Sequence, residues 1–189
     1  MLSKVRHYVS KNELISIYHA IFASHLRYGC QIWALENTTK VQRIGRLQNK
    51  AMRIINFEDF RASEDPLYFQ CEIIKLCDMV RLANCLLVHD FLRGVLPDCF
   101  VDFVEQLKIK YIDFITRNSE IGNLFVPSVN KTSSGIQSIT FRSIQCWNKI
   151  SEKYNIDLSK LPRIELKKII TGMCIHELNA TDDSIYYYY

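Results

Sequence analysis

The sequence predicts a mainly α fold: a helical hairpin followed by a helical bundle, with a minor β-hairpin in the second half of the chain. Apolar residues recur every three to four positions through several long segments, which is the period of an α-helix. Capping residues, prolines and glycines stand where these segments start and stop. One short run, residues 136–141, instead alternates between two faces as a strand does.

The first long helix is predicted from its start signal. Ser10 and Glu13 form the S-x-x-E pattern of a capping box, and apolar residues, Ile21 among them, follow at helical spacing as far as Trp33. Asn37 and Thr38 can cap a second helix that runs to about Phe57. Because the link between these helices is short, we expect an antiparallel hairpin over residues 1–60.

Further helices are expected downstream, in a region that we place at residues 61–178. Prolines open three of these segments, and Gly94 ends one of them. A loop is expected over residues 110–129, where the helical period is lost, and residues 124–126 would pair with the alternating run. The tail, 179–189, is expected to be frayed. The predicted helices span residues 66–74, 78–93, 98–107, 141–150 and 161–178.

Composition limits the class of protein. With 189 residues, 48% of them hydrophobic, the chain can bury a core of its own. The formal net charge of +4 is too small to indicate nucleic-acid binding, so charge is informative only where it clusters. We find no signal peptide at the N-terminus and no apolar run of membrane-spanning length. We therefore expect an intracellular protein, cytoplasmic or nuclear, with no membrane partner.

The seven cysteines show neither a C-x-x-C pair nor zinc-ligand spacing. We expect them to be reduced and mostly buried, because a free cysteine in an apolar segment packs as a small hydrophobic residue. The sequence therefore predicts no metal site.

A cluster of positive charge follows one flank of the second helix, with no acid among its members. An apolar arc beside it can bury against a core. Such a flank is either a phosphate-binding edge or the solvated basic face of an ordinary surface helix. Gln48 and Asn49 of the same helix would add hydrogen bonds to sugars or base edges. The cations are Lys40, Arg43, Arg46, Lys50 and Arg53, and the apolar arc is Val41, Ile44, Leu47, Ala51, Ile54 and Ile55.

Catalytic patterns are missing from the sequence. Phosphoryl transfer onto a primer needs carboxylates around two metal ions. The adjacent pair Asp182 and Asp183 lies in the polar tail, without a third carboxylate on a nearby strand. His25 falls on the apolar face of the first helix and is expected in the core. No glycine-rich nucleotide-binding motif is present. We predict no catalytic residue, no cofactor and no enzymatic activity of the chain by itself.

Several short sequence motifs, taken in their order along the chain, resemble those of one protein family. The first helix carries residues similar to a "Y-x-A-I-x-S-H-L-x-Y-G-x-x-x-W" pattern, and residues 47–55 are similar to "L-Q-N-K-A-x-R-I-I". Together with the downstream phrases they resemble the part of non-LTR retrotransposon reverse transcriptases, of the jockey and CR1 type, that follows the catalytic palm. The likeness covers about residues 2–175. The downstream phrases are Pro66-Leu67-Tyr68, Gly94-Val95-Leu96-Pro97, Thr116-Arg117, Gly135-x-x-Ser138-Ile139 and Trp147-Asn148.

This resemblance implies a thumb-like helical hairpin over residues 1–60 and a connection region over 61–178. The parent family is an RNA-directed DNA polymerase, but the catalytic aspartates of its palm have no counterpart in this sequence. The expected role is therefore non-catalytic binding of primer and template, with an RNA/DNA duplex or single-stranded nucleic acid as partner. A reverse-transcriptase palm domain is a further expected partner.

Two alternatives remain open from the sequence alone. The chain would be a helical protein-interaction domain if its cations were merely solubilising and its aromatic residues met a palm or a host protein. It would be a non-functional remnant if the element that encodes it had decayed. The aromatic residues of the first alternative are Trp33, Phe57, Phe60, Tyr68 and Phe69.

Overall fold

A computed structural model of the chain describes residues 2–34, 38–97, 124 and 139–177. About 75% of these residues are helical and none lies in a strand, which confirms the mainly α fold. The elements, in chain order, are α1 (Leu2–Val5), α2 (Lys11–Ile17), a π-helical segment (Tyr18–Ala23), α3 (Ser24–Arg27), α4 (Cys30–Trp33), α5 (Thr38–Ile55), α6 (Asp65–Gln70), α7 (Leu76–Leu92), α8 (Ile139–Tyr154), a short 3₁₀ helix (Leu158–Lys160) and α9 (Arg163–Glu177).

The described residues divide into two units. One lies within Met1–Val80 and Ile170–Tyr189, and the other lies within Arg81–Ile169. The boundaries drawn from the sequence, after residues 60 and 178, stay predictions.

The predicted capping box is present at the start of α2. The backbone N–H of Ser10 donates to Glu13 Oε2 at 2.6 Å, and the N–H of Glu13 donates to Ser10 Oγ at 3.4 Å. Two of the amide groups that a helix leaves unpaired at its N-terminus are thereby satisfied. The first predicted helix therefore begins where its sequence indicates.

The π-helical segment explains two wrong predictions in the first helix. Buried positions there are Tyr18, Ala23 and Leu26, so the step across the segment is five residues instead of three or four. Because the extra residue in the wider turn rotates everything that follows it, Ile21 and His25 point to solvent rather than into the core. The helix then breaks at Gly29, whose φ of 59° separates α3 from α4.

The core of the first unit joins α2 and the π-helical segment to α5 and α6. Its larger side chains are almost completely removed from water, and each contributes on the order of 2 kcal/mol to folding. This core holds α5 in a fixed orientation. Its buried members are Leu14, Tyr18, Ala23, Ala51, Met52, Ile55, Leu67, Tyr68, Cys71 and Ile73.

Side-chain hydrogen bonds link elements within the second unit. Ser143 Oγ donates to Asn84 Oδ1 at 3.1 Å and so joins α8 to α7. The Asn148 amide donates to the carbonyl oxygen of Leu124 at 2.7 Å and accepts from its N–H at 2.9 Å. Arg163 at the start of α9 pairs with Asp90 of α7 at 2.8 Å.

The predicted β-hairpin is not seen in the part of the chain that the structure describes. Residues 139–141, the end of the proposed strand, belong to α8. The buried residues of α8 are Ser143, Ile144, Trp147 and Ser151, and their spacing of three to four positions is helical. Burial of this helical face therefore determines the structure of residues 139–141, although their alternating pattern is typical of a strand. Residues 125, 126 and 136–138, which complete the proposed pairing, lie outside the described residues.

Several helices differ from prediction at their ends. The segment predicted as helical over 66–74 stops at Gln70, because Glu72 adopts a left-handed φ of 52°. Among the described residues, α1 and the 3₁₀ helix were not predicted. The helix proposed at 98–107, the loop at 110–129 apart from Leu124, and the tail at 179–189 with Asp182 and Asp183 lie outside the described residues.

None of the six cysteines in the described ranges forms a disulfide, and four of them are buried, as predicted: Cys30, Cys71, Cys85 and Cys174. Cys77 and Cys146 are half-buried. None of the helices that the structure describes combines the length and the apolar character needed to cross a bilayer.

Candidate nucleic-acid interface

Helix α5 has one face in the core and the opposite face in solvent. Gln48, Ala51, Met52 and Ile55 recur every three to four residues and are buried. Arg43, Arg46 and Lys50 fall about half a turn away from this face, and all three side chains are exposed. Lys40, one turn before Arg43, is exposed as well. We call Lys40, Arg43, Arg46 and Lys50 the cationic stripe.

Three members of the cationic stripe have no acidic neighbour in contact. Within the described parts of the chain, Arg43, Arg46 and Lys50 form neither an ion pair nor a side-chain hydrogen bond. Their charges are therefore not neutralised locally. Such cations are free to meet the phosphates of a polyanion without first breaking a contact within the protein.

Arg53 differs from the cationic stripe, although the sequence places it on the same flank. Its Nη2 pairs with Glu64 Oε1 at 2.7 Å, and its Nε donates to the carbonyl oxygen of Ala62 at 3.2 Å. Only 21% of the side chain is exposed. The prediction that the whole flank is exposed is wrong at this position, because the chain after α5 folds back over the arginine. Contact of Arg53 with nucleic acid stays a prediction.

The amides next to the cationic stripe form hydrogen bonds within the protein. Gln48 is 1% exposed; its nitrogen donates to Tyr18 Oη at 2.9 Å and to the carbonyl oxygen of Ile74 at 3.1 Å, and its oxygen accepts from the N–H of Leu76 at 2.8 Å. Asn49 Oδ1 accepts from Tyr68 Oη at 2.7 Å. The expectation that Gln48 reaches a sugar or a base is therefore wrong, since water itself does not reach this side chain.

One apolar side chain lies outside the core next to the cationic stripe. Leu47 was expected in the apolar arc that packs inward, yet it is 57% exposed. It stands between Arg46 and Gln48, at the edge where the buried face of α5 ends. The buried face is accordingly narrower than the sequence indicated.

The aromatic residues of the alternative hypothesis do not share one exposed surface. Phe57 is 48% exposed and Phe60 is 70% exposed, whereas Tyr68 is buried. Trp33 and Phe69 are half-buried, and the indole N–H of Trp33 donates to the carbonyl oxygen of Tyr28 at 2.9 Å. The exposed aromatic surface predicted from the sequence therefore does not include Tyr68.

An arginine side chain lies next to the ring of each exposed phenylalanine. The guanidinium carbon of Arg6 lies 5.2 Å from the centre of the Phe57 ring, and that of Arg61 lies 5.2 Å from the centre of the Phe60 ring. Sequence reasoning did not identify these pairs. Phe60 and Arg61 are neighbours in the sequence, and this adjacency could have identified their contact. Nothing in the sequence connects Arg6 to the ring of Phe57, fifty-one positions later.

Ionisable groups around α5 are held in their neutral forms by burial. Burial raises the pKa of the Tyr68 hydroxyl strongly, with Tyr18 and Glu64 nearby acting in the same direction. Burial also raises the pKa of the Tyr18 hydroxyl, against the hydrogen bond from Gln48. Partial burial lowers the pKa of His19, and Arg27 adds to this effect.

Metal-ligand side chains do not cluster in the described ranges: no three His, Cys, Asp or Glu residues there lie close enough to hold a metal ion together.

Comparison with known proteins gives a partial relative. No family model matches the chain, and no solved structure matches it. A segment of 47 residues is 40% identical to the probable RNA-directed DNA polymerase from transposon X-element of Drosophila melanogaster. This similarity supports a relationship to retrotransposon reverse transcriptases. The match covers 25% of this chain and 5% of that polymerase, so it spans a small part of the relative's length.

The phrases that carry the family resemblance have structural roles. Gln48 connects α5 to Tyr18 and to the start of α7, and Tyr68 binds Asn49. Gly29 and Gly94 take the left-handed backbone conformations that end helices. A related chain with these residues is therefore expected to repeat the same local contacts.

Proposed function

We propose that this chain is the non-catalytic, nucleic-acid-binding portion of a retrotransposon reverse transcriptase. In this proposal the cationic stripe binds the phosphates of primer and template. The observation that supports it is the exposure of Arg43, Arg46 and Lys50 on one side of α5, without an acidic partner in the described residues. The relationship to a transposon polymerase supports the choice of nucleic acid as the polyanion.

The proposed binding is electrostatic and independent of base sequence. Each cation that meets a phosphate releases a counterion, so the logarithm of the association constant falls with the logarithm of salt concentration, by about 0.9 per contact on a duplex. Four contacts by the cationic stripe correspond to a slope of about −3.6. Phosphate contacts of this kind position a duplex and leave its bases unread.

The setting of α5 supports a positioning role. The helix is fixed on its inner side by the core and by the three hydrogen bonds of Gln48. Its exposed cations therefore occupy defined places along the helix axis. Cations held in this way lose less freedom on binding than cations on a loop would lose.

The test compares two charge reversals. Arg43→Glu/Arg46→Glu removes two members of the cationic stripe, and Lys167→Glu/Lys168→Glu changes two exposed lysines of α9. Both variants change the net charge equally, so the second controls for long-range attraction. Fluorescence anisotropy with an RNA/DNA duplex is measured over a range of salt concentrations. We expect the first variant to bind at least tenfold more weakly and with a shallower salt slope.

The result that would contradict the proposal is equal affinity and equal slope for the two variants. Circular dichroism and thermal unfolding of each variant establish that the fold is retained. Because Arg43 and Arg46 have no partner in the described residues, and Lys167 and Lys168 are exposed, we expect both variants to unfold close to the wild-type temperature.

The second part of the proposal is that the chain does not polymerise by itself. The palm aspartates that the parent family uses have no counterpart in the sequence. Primer extension by the purified chain, with deoxynucleotides and magnesium, is expected to stay at the background of a protein-free reaction. Extension above this background would contradict this part.

A further inference from the structure

A second surface lies at the C-terminal end of α5. It consists of Phe57, Phe60, Arg6 and Arg61, which we call the aromatic corner. Phe60 leaves most of its surface in water, and Phe57 leaves about half of its surface there. Exposed rings of this size give up the stabilisation that burial would supply, so a surface with two of them within four residues is a candidate for ligand contact.

The aromatic corner combines flat rings with flat cations. Each ring carries a guanidinium at 5.2 Å from its centre, which leaves other parts of the ring open. The guanidinium groups of Arg6 and Arg61 form no ion pair in the described part of the chain, and Arg6 Nε is buried without a hydrogen-bond partner there. Nucleic-acid bases stack on aromatic rings and on guanidinium planes alike.

Phe60 and Arg61 of the aromatic corner lie toward the side of α5 that carries the cationic stripe. Arg53 follows Lys50 by three residues and Arg46 by seven, so the three share one side of the helix. The contacts of Arg53 with Ala62 and Glu64 hold the turn after α5 against that side. Phe60 and Arg61 directly precede Ala62. A strand that follows the stripe toward the end of α5 therefore arrives at this corner.

Charge alone does not account for the aromatic corner. Glu58 and Asp59 are exposed beside it, and their two negative charges balance Arg6 and Arg61. Asp59 Oδ1 accepts from the backbone N–H of Phe60 at 2.7 Å, which fixes the turn. A ligand bound at the corner must therefore gain from stacking more than from attraction to phosphate. Unpaired bases offer that contact, whereas the bases of a duplex are already stacked on one another.

We propose that the aromatic corner stacks unpaired bases of a single-stranded nucleic acid whose phosphates lie along the cationic stripe. This inference rests on the proposed function. The rings of Phe60 and Phe57 supply faces that accept any base, and the guanidinium groups cover the opposite sides. The full interface thus divides into a salt-dependent part, the stripe, and a stacking part, the corner.

The experiment uses the full chain and three labelled probes: an oligouridine, an abasic oligonucleotide of equal length and an RNA/DNA duplex. The variant is Phe60→Ala, whose side chain is outside the core. The matched control is Tyr28→Ala, which removes an aromatic side chain that is 86% exposed elsewhere on the same unit. Phe60→Trp tests rescue, because it restores a flat ring.

We expect Phe60→Ala to bind oligouridine about tenfold more weakly than wild type, with an unchanged salt slope, and to bind the abasic probe and the duplex as wild type does. Phe60→Trp should recover the affinity, and Tyr28→Ala should not lose it. Equal affinity of Phe60→Ala and wild type for oligouridine would overturn the proposal and leave the aromatic corner to a protein partner. The proposal would also be overturned if Phe60→Ala lost as much affinity for the abasic probe as for oligouridine.

Failure of the proposed function gives a different pattern. If wild type binds none of the three probes, the cationic stripe is not a nucleic-acid site and both proposals fall. If wild type binds all three probes and Phe60→Ala changes none of the affinities, the proposal that the cationic stripe binds nucleic acid is retained. The stacking proposal alone is then overturned.

Discussion

The side-chain nitrogen of Gln48 donates to the hydroxyl of Tyr18 across 2.9 Å, inside the core of the first unit. This bond connects the middle of α5 to the π-helical segment, and the other bonds of the same amide reach the start of α7. One buried amide thus sets the relative position of three elements, one of which is α5, the helix that carries the cationic stripe.

Replacement of Gln48 by alanine is expected to destabilise the protein by about 3 kcal/mol. The change leaves the Tyr18 hydroxyl, the Ile74 carbonyl and the Leu76 N–H without this partner in the interior, and each buried unpaired group costs about 1–3 kcal/mol. Urea unfolding measures the loss. Gln42→Ala, an exposed glutamine of the same helix, is the control and should change the free energy of unfolding by less than about 0.5 kcal/mol. Similar midpoints for the two variants would disprove the role of Gln48.

Arg53→Glu is expected to destabilise the protein by about 1–2 kcal/mol, whereas Arg46→Glu should leave stability unchanged. The first change removes two hydrogen bonds and faces Glu64 with a second carboxylate. The estimate is modest because both side chains of the pair remain partly in water. Thermal unfolding compares the variants, and Arg53→Glu/Glu64→Arg should recover part of the loss. If Arg46→Glu unfolds at the same lowered temperature, the difference between the two arginines is refuted.

Helix ends allow a paired test of backbone strain. Glu72 and Gly94 both occupy left-handed positions after a helix, with φ of 52° and 65°. A residue with a side chain pays about 1 kcal/mol for this conformation, and glycine does not. We expect Glu72→Gly to raise the free energy of unfolding by about 1 kcal/mol and Gly94→Ala to lower it by about the same amount. Changes of the same sign in both variants would contradict this account.

Alkaline pH is expected to destabilise the protein through Tyr68. Burial raises the pKa of its hydroxyl in the folded state, so its contribution is fully present below the unfolded value of about 10 and is lost as pH rises above it. Tyr68→Phe loses the bond to Asn49, about 1 kcal/mol at neutral pH, but has no proton to release. The stability difference between wild type and this variant should therefore narrow at alkaline pH.

The measurement for Tyr68 is urea unfolding at neutral and alkaline pH. Tyr8→Phe, at an exposed tyrosine, serves as the control, and its difference from wild type should stay constant. A gap between wild type and Tyr68→Phe that is equally wide at both pH values would show that the buried hydroxyl does not contribute in this way.

Local signals predicted the helices well. The capping box at Ser10 and the apolar period of α5 depend on residues within a few positions of one another, and both appear in the structure. The π-helical segment was not predicted, because a single extra residue in a turn leaves no mark on composition. Its effect was to misplace Ile21 and His25.

The interior of the candidate site could not be predicted for a different reason. Gln48 binds partners 30 and 26 residues away, and Arg53 binds one 11 residues away. Sequence periodicity assigns a residue to a face of its own helix but does not say which segment covers that face. The flank of five cations was therefore visible in the sequence, whereas the division between four exposed cations and the half-buried Arg53 was not.

The length of the cationic stripe limits how tightly this surface alone can hold a strand. From Lys40 to Lys50 the helix advances about 15 Å, which matches roughly four nucleotides of one duplex strand at about 3.4 Å each. A footprint this small releases its ligand quickly. Long-lived binding of a long polynucleotide then requires several weak binding sites that act together. Once one site is occupied, it raises the effective concentration of the polynucleotide at the next site.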